Sequence, residues 1–456
     1  MTGLSQFTYL MLLLALICLP AVLLIKLKNI YASTLEAILK GGIVGFCQFF
    51  LVALGLFYCK VPVSLAGWAI AYLANIVLTV ILWKTVKPGA AVASFRQDKV
   101  FWMYFSVVIV ILLAFTFETM RKTVIMGDSS FYWFLRGWTF ANAKDLYAFP
   151  YVWTSMHPLI IPLIYSIFLQ TNCVLGVAGY TAVLMSVLIL MILVIGWNKA
   201  GKLSVILGVP LSVYLPVFFN DHYYTSYADI PFAIMFCAAL IFLADSMFEK
   251  KTSYPAIVLL SFVVMMRPNG TFMVFVTALI AAVYLYNKES GLKSVLSVII
   301  KIFALPFIMI LIFNRILKYT YESSIVNKYF VSTILDEFIN SPDGFVNLWN
   351  KTRLIIDFYF ATASPTPYNY IYFAPLMFLL VFWRISRKEA FILSVTMLII
   401  FIYVFPLSLA VTNNEMQTWF NFSFARWLFH CWPAMTAVLY FVCLDFINKI
   451  KSIPKE

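Results

Sequence analysis

Apolar runs of roughly 18 or more residues recur from one end of the chain to the other, and no other feature restricts the fold so tightly. At 1.5 Å per helical residue, each is long enough to cross a hydrocarbon layer about 30 Å thick. No water satisfies backbone N–H and C=O groups in that layer, so the runs must be helices or the strands of a closed barrel. The alternating pattern of barrel strands is absent, which leaves helices. Charged residues make up only 11% of the 456 residues, against about a quarter in a soluble domain. No polar stretch of domain length remains for a soluble nucleotide-sugar, ATPase or nucleic-acid domain. The sequence therefore predicts an all-α, polytopic membrane protein.

Thirteen helices are expected, at about 7–25, 41–58, 63–83, 100–118, 174–196, 203–219, 230–248, 254–267, 271–286, 294–313, 370–383, 390–411 and 426–447. The run His157 to Leu169 is too short for a span and holds Pro158 and Pro162, so it reads as interfacial or re-entrant. With an outer N-terminus, the inner loops then receive 20 of the 32 Lys and Arg, the asymmetry that sets membrane orientation. Counting 157–169 as a span would invert every later loop and place Arg384, Arg387, Lys388 and the Lys-rich tail outside. The first run has no basic residue before it and no small-residue cleavage site, and it reads as a retained span. The net charge of +13 lies in short loops, so it points to a bilayer and not to nucleic acid. The seven cysteines lack CxxC spacing and read as small buried hydrophobes.

Two outer segments exceed a simple turn, at 118–156 and 315–369. The first is rich in Trp, Tyr and Phe, which favour the headgroup level, and interfacial helices are expected there. The second holds Asp336, Glu337, Asp343, Lys351, Arg353 and Asp357. The organisation expected is 1–99 as N-terminal helices and an inner loop, 100–447 as a transmembrane core, and 448–456 as a basic inner tail.

On this topology the outer helix ends collect Gly127-Asp128-Ser129-Ser130, His157-Pro158-Leu159, Tyr227-Ala228-Asp229, Arg267-Pro268-Asn269-Gly270 and Arg426 within Ala425-Arg426-Trp427-Leu428-Phe429-His430-Cys431-Trp432-Pro433. In order, spacing and side, these segments over residues 100–447 resemble the C-type (GT-C) glycosyltransferase superfamily, which includes protein O-mannosyltransferases and lipid A aminoarabinose transferases. The first three helices precede that fold's usual start. Its usual acidic pair is here the single acid Asp128.

The resemblance implies a sugar donor linked to polyprenyl phosphate and a hydroxyl acceptor on a glycan, lipid or protein. Such a donor needs no soluble nucleotide-binding domain, and neither a G-x-G-x-x-G fingerprint nor a P-loop is present, so no nucleotide cofactor is expected. The attacking hydroxyl must lose a proton, and Asp128 is the candidate general base. The departing phosphate needs a cation, and Arg426 and Arg267 are candidates. Asp229, His157, Tyr227 and Asn269 complete the expected substrate-binding set. Asp128, Asp229 and His157 would also supply ligands for a divalent ion, although no HExxH or CxxC spacing accompanies them, and the metal stays open. The expected setting is a cell membrane, or the endoplasmic reticulum of a eukaryote, with the active site on the non-cytoplasmic side.

Each of these residues also has a purely structural role open to it. Asp128 and Asp229 stand where helix caps would stand, the arginines where headgroup anchors would, and His222 and His430 read as loop or packing residues. Two other functions also remain: a transporter or flippase of lipid-linked sugars, and a polysaccharide polymerase relying on the 315–369 loop. Paired repeats and mid-membrane ionisable groups would favour transport.

Overall fold

The computed structural model describes residues 3–31, 33–86, 98–122, 133–147, 159–218, 228–249, 252–286, 291–320, 341–361, 385–400 and 430–451. Every regular element among them is helical. In chain order the α-helices are α1 (Gly3–Leu27), α2 (Thr34–Tyr58), α3 (Leu65–Thr85), α4 (Lys99–Arg121), α5 (Leu135–Ala143), α6 (Ile160–Gln170), α7 (Gly176–Ala200), α8 (Ser204–Phe218), α9 (Asp229–Phe248), α10 (Tyr254–Val264), α11 (Pro268–Tyr286), α12 (Leu292–Thr320), α13 (Gly344–Ala361), α14 (Arg387–Ile399) and α15 (Trp432–Lys451).

Local chemistry sets several of the starts. Ser33, Ser64, Asp98 and Ser386 stand just before α2, α3, α4 and α14, and each side-chain oxygen accepts a hydrogen bond from a first-turn backbone N–H. Gly201, at a φ of +56°, ends α7, and a single 3-10 turn (Gly201–Leu203) folds α8 back against it.

Eight stretches among the described residues are helical, apolar and long enough to cross a membrane, which makes this a polytopic membrane protein. Thirteen were expected. The run Gly176–Pro216 counts as one stretch although it is a hairpin of two helices. The helices α6, α10 and the C-terminal Trp432–Asn448 are apolar but too short to count, the expected span 390–411 is described only to residue 400, and 370–383 lies outside the described residues.

The core gathers around α9, which packs on α7, α10, α14 and α15 and buries nearly every residue from Asp229 to Asp245. Its sequence is apolar on all faces, as a helix surrounded by other helices requires. By contrast α1, α3, α4 and α12 each expose an apolar face, the arrangement expected of helices against lipid. The N-terminal helices are no appendage: α2 lies against α7 and α10, and α1 against α7.

Ion pairs give the bundle two chemically distinct ends. Lys40 of α2 reaches Asp245 of α9 and Glu36, both at 2.8 Å. Lys388 of α14 reaches the same Asp245 at 2.7 Å and also pairs with Glu249. Next door, Lys199 of α7 pairs with Glu389 of α14 and Asp445 of α15. All of these lie at the Asp245 end of α9. Asp229 begins the same helix 16 residues earlier, so it stands about 24 Å away along the axis.

Since α2 passes Lys40 at the Asp245 end, its last residue, Tyr58, emerges at the Asp229 end. There Val63 donates its backbone N–H to the carbonyl of Lys144 (2.9 Å), just beyond α5. Gln170, the last residue of α6, donates to the carbonyls of Val63 (2.6 Å) and Ala141 (3.1 Å). The nine residues of α5 and eleven of α6 are thus fastened to that end as short, non-spanning helices. Gly137 permits the contact, because a Cβ there would press into the Pro162 carbonyl and Tyr165.

Candidate functional site

Three separate segments meet at the start of α9. Asp229 is its first helical residue, and Pro231 two positions on costs no hydrogen bond because first-turn N–H groups have no intrahelical partner. A carboxylate also suits the positive end of the helix dipole. The cap position belongs to Ala228, which makes no side-chain cap bond, and the Asp229 carboxylate instead crosses to another segment.

The segment it meets is Arg267-Pro268-Asn269-Gly270. Helix α10 stops at Val264, Met265 and Met266 turn, and Pro268 opens α11 at the position where proline is best tolerated. Gly270 then passes so close to α10 that a Cβ would collide with the Val263 carbonyl. This tight turn holds Arg267 beside Asp229. The third segment is the turn at His430 and Cys431 that leads into α15.

Arg267 donates from Nη1 to Asp229 Oδ1, and His430 Nε2 lies 2.8 Å from the same oxygen. Arg267 Nη1 and His430 Nε2 are 3.4 Å apart. Asn269 Nδ2 sits 3.2 Å from His430 Nδ1. The imidazole and the Phe232 ring meet in a T-shaped contact at a centroid distance of 4.8 Å. Asp229 and His430 are buried (1% and 2% exposed), whereas the Arg267 side chain keeps 12% of its surface open. A carboxylate placed this deep persists only with charge and hydrogen-bond partners, and here it has both.

Of the residues expected from sequence, Asp229, Arg267 and Asn269 are therefore brought together. Asp128, His157, Tyr227 and Arg426 lie outside the described residues, as does His222. The described helices that flank Asp128 and His157 in sequence, α5 and α6, belong to the same end of the bundle. Among the described residues no group of three or more His, Cys, Asp or Glu gathers as a metal site would.

Two residues in this region escaped the sequence reading. His430, expected to be a packing or loop residue, does lie in the turn before α15, which begins at Trp432, and it is also a polar member of the cluster. Arg136 was passed over within an aromatic stretch, yet it is buried (1% exposed) on α5, its guanidinium 5.8 Å from the Phe140 ring centroid. Trp133, Arg136, Gly137 and Phe140 recur at one-face helical spacing, and that periodicity was the available signal. The same segment is not a simple surface belt: Trp133 and Phe140 are buried while Trp138 is exposed.

In the second long loop, α12 continues through Arg315 to Thr320 and α13 occupies Gly344–Ala361, with Lys351 buried and Arg353 exposed. Set against family models, curated proteins and solved structures, the chain matches none of them.

Proposed function

We propose that the protein is a membrane glycosyltransferase that moves a sugar from a polyprenyl-phosphate donor to a hydroxyl acceptor. The observation that carries this reading is the buried cluster of Asp229, Arg267, Asn269 and His430. It joins three of the segments behind the resemblance to the C-type superfamily, at the end of the bundle where α5 and α6 also lie. Buried ionisable groups in a membrane bundle mark function by default, since a purely apolar contact would hold the helices at lower cost.

In the proposed reaction the acceptor oxygen attacks the anomeric carbon from the face opposite the phosphate. The bond from that carbon to the phosphate oxygen breaks, and its electron pair leaves with the polyprenyl phosphate, so the configuration inverts. The acceptor proton passes to Asp128. Phosphate is a competent leaving group, and one carboxylate suffices where a glycosidase needs two. Arg267 and Arg426 meet the phosphate charge, for which a guanidinium offers parallel N–H donors in surroundings of low dielectric. The arginine-lined end faces the non-cytoplasmic compartment in this scheme, consistent with Lys40, Lys199 and Lys388 at the opposite end.

A transporter of the same lipid-linked sugars would bind a similar ligand without breaking a bond. Purified protein supplied with a polyprenyl-phosphate sugar and candidate hydroxyl acceptors separates the two readings. Transfer is expected from the wild type, and Asp128→Asn should lower it by about 10²- to 10⁴-fold while leaving membrane insertion and donor binding intact. Donor binding without transfer to any acceptor class would favour transport.

A further inference from the structure

The lipid-facing side of the N-terminal helices holds a slot of about 330 Å³ between α1 and α3. Leu19, Leu23 and Leu27 belong to one wall, and Ile76, Val80 and Trp83 to the other. The two walls are fixed independently against α2. On one side Gly41 and Gly45 let α1 approach so closely that a Cβ on either would collide with the backbone of Val22 or Cys18. On the other, Gln48 of α2 donates to Asn75 and Thr79 of α3, and Thr79 donates to the Asn75 backbone carbonyl. The Thr79 hydroxyl is thus engaged although the residue lines the slot, and the surface left for a ligand is almost entirely hydrocarbon.

Length and position assign the slot to one leaflet. Leu19 to Leu27 rise about 12 Å and Ile76 to Trp83 about 10 Å, within the roughly 15 Å of half a hydrocarbon core. The turn from α1 to α2, where Lys26 donates to Thr34, lies at the Asp245 end of the bundle, so the slot occupies the half nearest that end. At its mouth Lys28 Nζ lies 5.0 Å from the Trp83 ring centroid. Trp favours the headgroup level, and a lysine beside it carries its charge there. Residues 19–33 and 72–86 contain Lys26, Lys28 and Lys84 and no Asp or Glu. One helix away, Lys40 is instead committed to Glu36 and Asp245.

We propose that this slot binds an anionic phospholipid of the leaflet at the Asp245 end, with one acyl chain between α1 and α3 and the phosphate meeting Lys28 and Lys84. Hydrocarbon contact alone selects no lipid, since one tail is as apolar as another. The lysines supply the selection, by headgroup charge. The site lies at the opposite end of the bundle from Asp229 and holds whether or not that cluster serves sugar transfer.

The test compares full-length protein in nanodiscs containing phosphatidylglycerol or phosphatidylcholine, each with the same diazirine-bearing acyl chain, and maps the cross-linked residues by peptide mass spectrometry. Expected is labelling of Leu23 and Val80 about fivefold or more stronger from phosphatidylglycerol at equal mole fraction, the scale of one lysine near an anionic headgroup. Lys28→Gln with Lys84→Gln should bring the two lipids within about twofold of each other. Val80→Trp, which fills the slot from an exposed position, should reduce labelling from both. Labelling of the exposed α4 residues Val107 and Val110 reports insertion of each variant. The wild-type comparison decides without any variant: equal labelling by the two lipids, or no label between α1 and α3, would overturn the site. A preference that persists in the double variant would overturn the role of the lysines, and stronger competition by a polyprenyl phosphate than by unlabelled phosphatidylglycerol would overturn the choice of ligand.

Discussion

The two ends of α9 hold charge in opposite styles. At Asp245 the partners are ammonium groups, Lys40 and Lys388, which also grip Glu36 and Glu249, so carboxylates and lysines from three helices interlock. The Tyr31 ring covers Lys40, with Nζ 4.1 Å from its centroid. At Asp229 the partners are a guanidinium, an imidazole and, through the imidazole, an amide. Lysines serve as compact point charges. Arginine and histidine supply directional donors that can be shared with a second anion. Under the proposed function, the first end serves as a clamp and the second as the place where the ligand is received.

The sharpest way to break this contrast is to remove a charge from each end and compare fold with function. Lys40→Met leaves Glu36 buried without Lys40 and Asp245 with Lys388 in its place, and a loss of about 3 kcal/mol in unfolding free energy is expected, with transfer per folded molecule unchanged. Denaturation in detergent, paired with activity normalised to folded protein, checks it. Adding Glu36→Gln and Asp245→Asn to that variant should recover much of the loss.

Asp229→Asn should behave in reverse. Transfer is expected to fall about 100-fold, equivalent to about 2.7 kcal/mol, while stability changes less than for Lys40→Met because Arg267 retains access to the boundary of the cluster. Single-turnover rates and unfolding midpoints on the same preparations decide it. Two variants that lose stability alike would make Asp229 a second clamp.

Between the ends lies a neutral network that sharpens the comparison. Gln48 Nε2 donates to Asn75 Oδ1 (2.7 Å) and Thr79 Oγ1 (3.0 Å), and the Tyr254 hydroxyl donates to Gln48 Oε1, all of it buried. Gln48→Leu orphans these groups, and a stability loss of about 1–3 kcal/mol is expected with no change in transfer. The smallest effect belongs to Ser33→Ala, which removes the cap of α2 and should cost about 1 kcal/mol by the same unfolding measurement.

Apolar run length made most of the helices legible: α1 to α4 and α7 fall within a few residues of their expected positions, apart from the earlier start of α2. That start at Thr34 is set by Ser33 and the buried Glu36 and Lys40, charges that a hydropathy reading assigns to a loop. Helix α12 overran its expected end because Asn314 to Thr320, though polar, contains no Gly or Pro to stop it. At the site, Asp229, Arg267 and Asn269 were legible because each sits at a helix start within an apolar chain. His430 was not, since its role comes from residues 161 to 201 positions away in sequence, and no local pattern encodes such contacts.

The neighbouring residues Lys388 and Glu389 grip different helices with opposite signs, Lys388 holding Asp245 of α9 and Glu389 holding Lys199 of α7. This pairing is a register key. A one-residue slip of α14 would carry Glu389 to the position of Lys388, facing Asp245, and leave Lys199 opposite Ala390, turning one attraction into a repulsion and losing the other inside an apolar bundle. Van der Waals packing between smooth apolar helices discriminates poorly among such slips. Two adjacent side chains therefore tell this helix both which partners to join and at what height to stop.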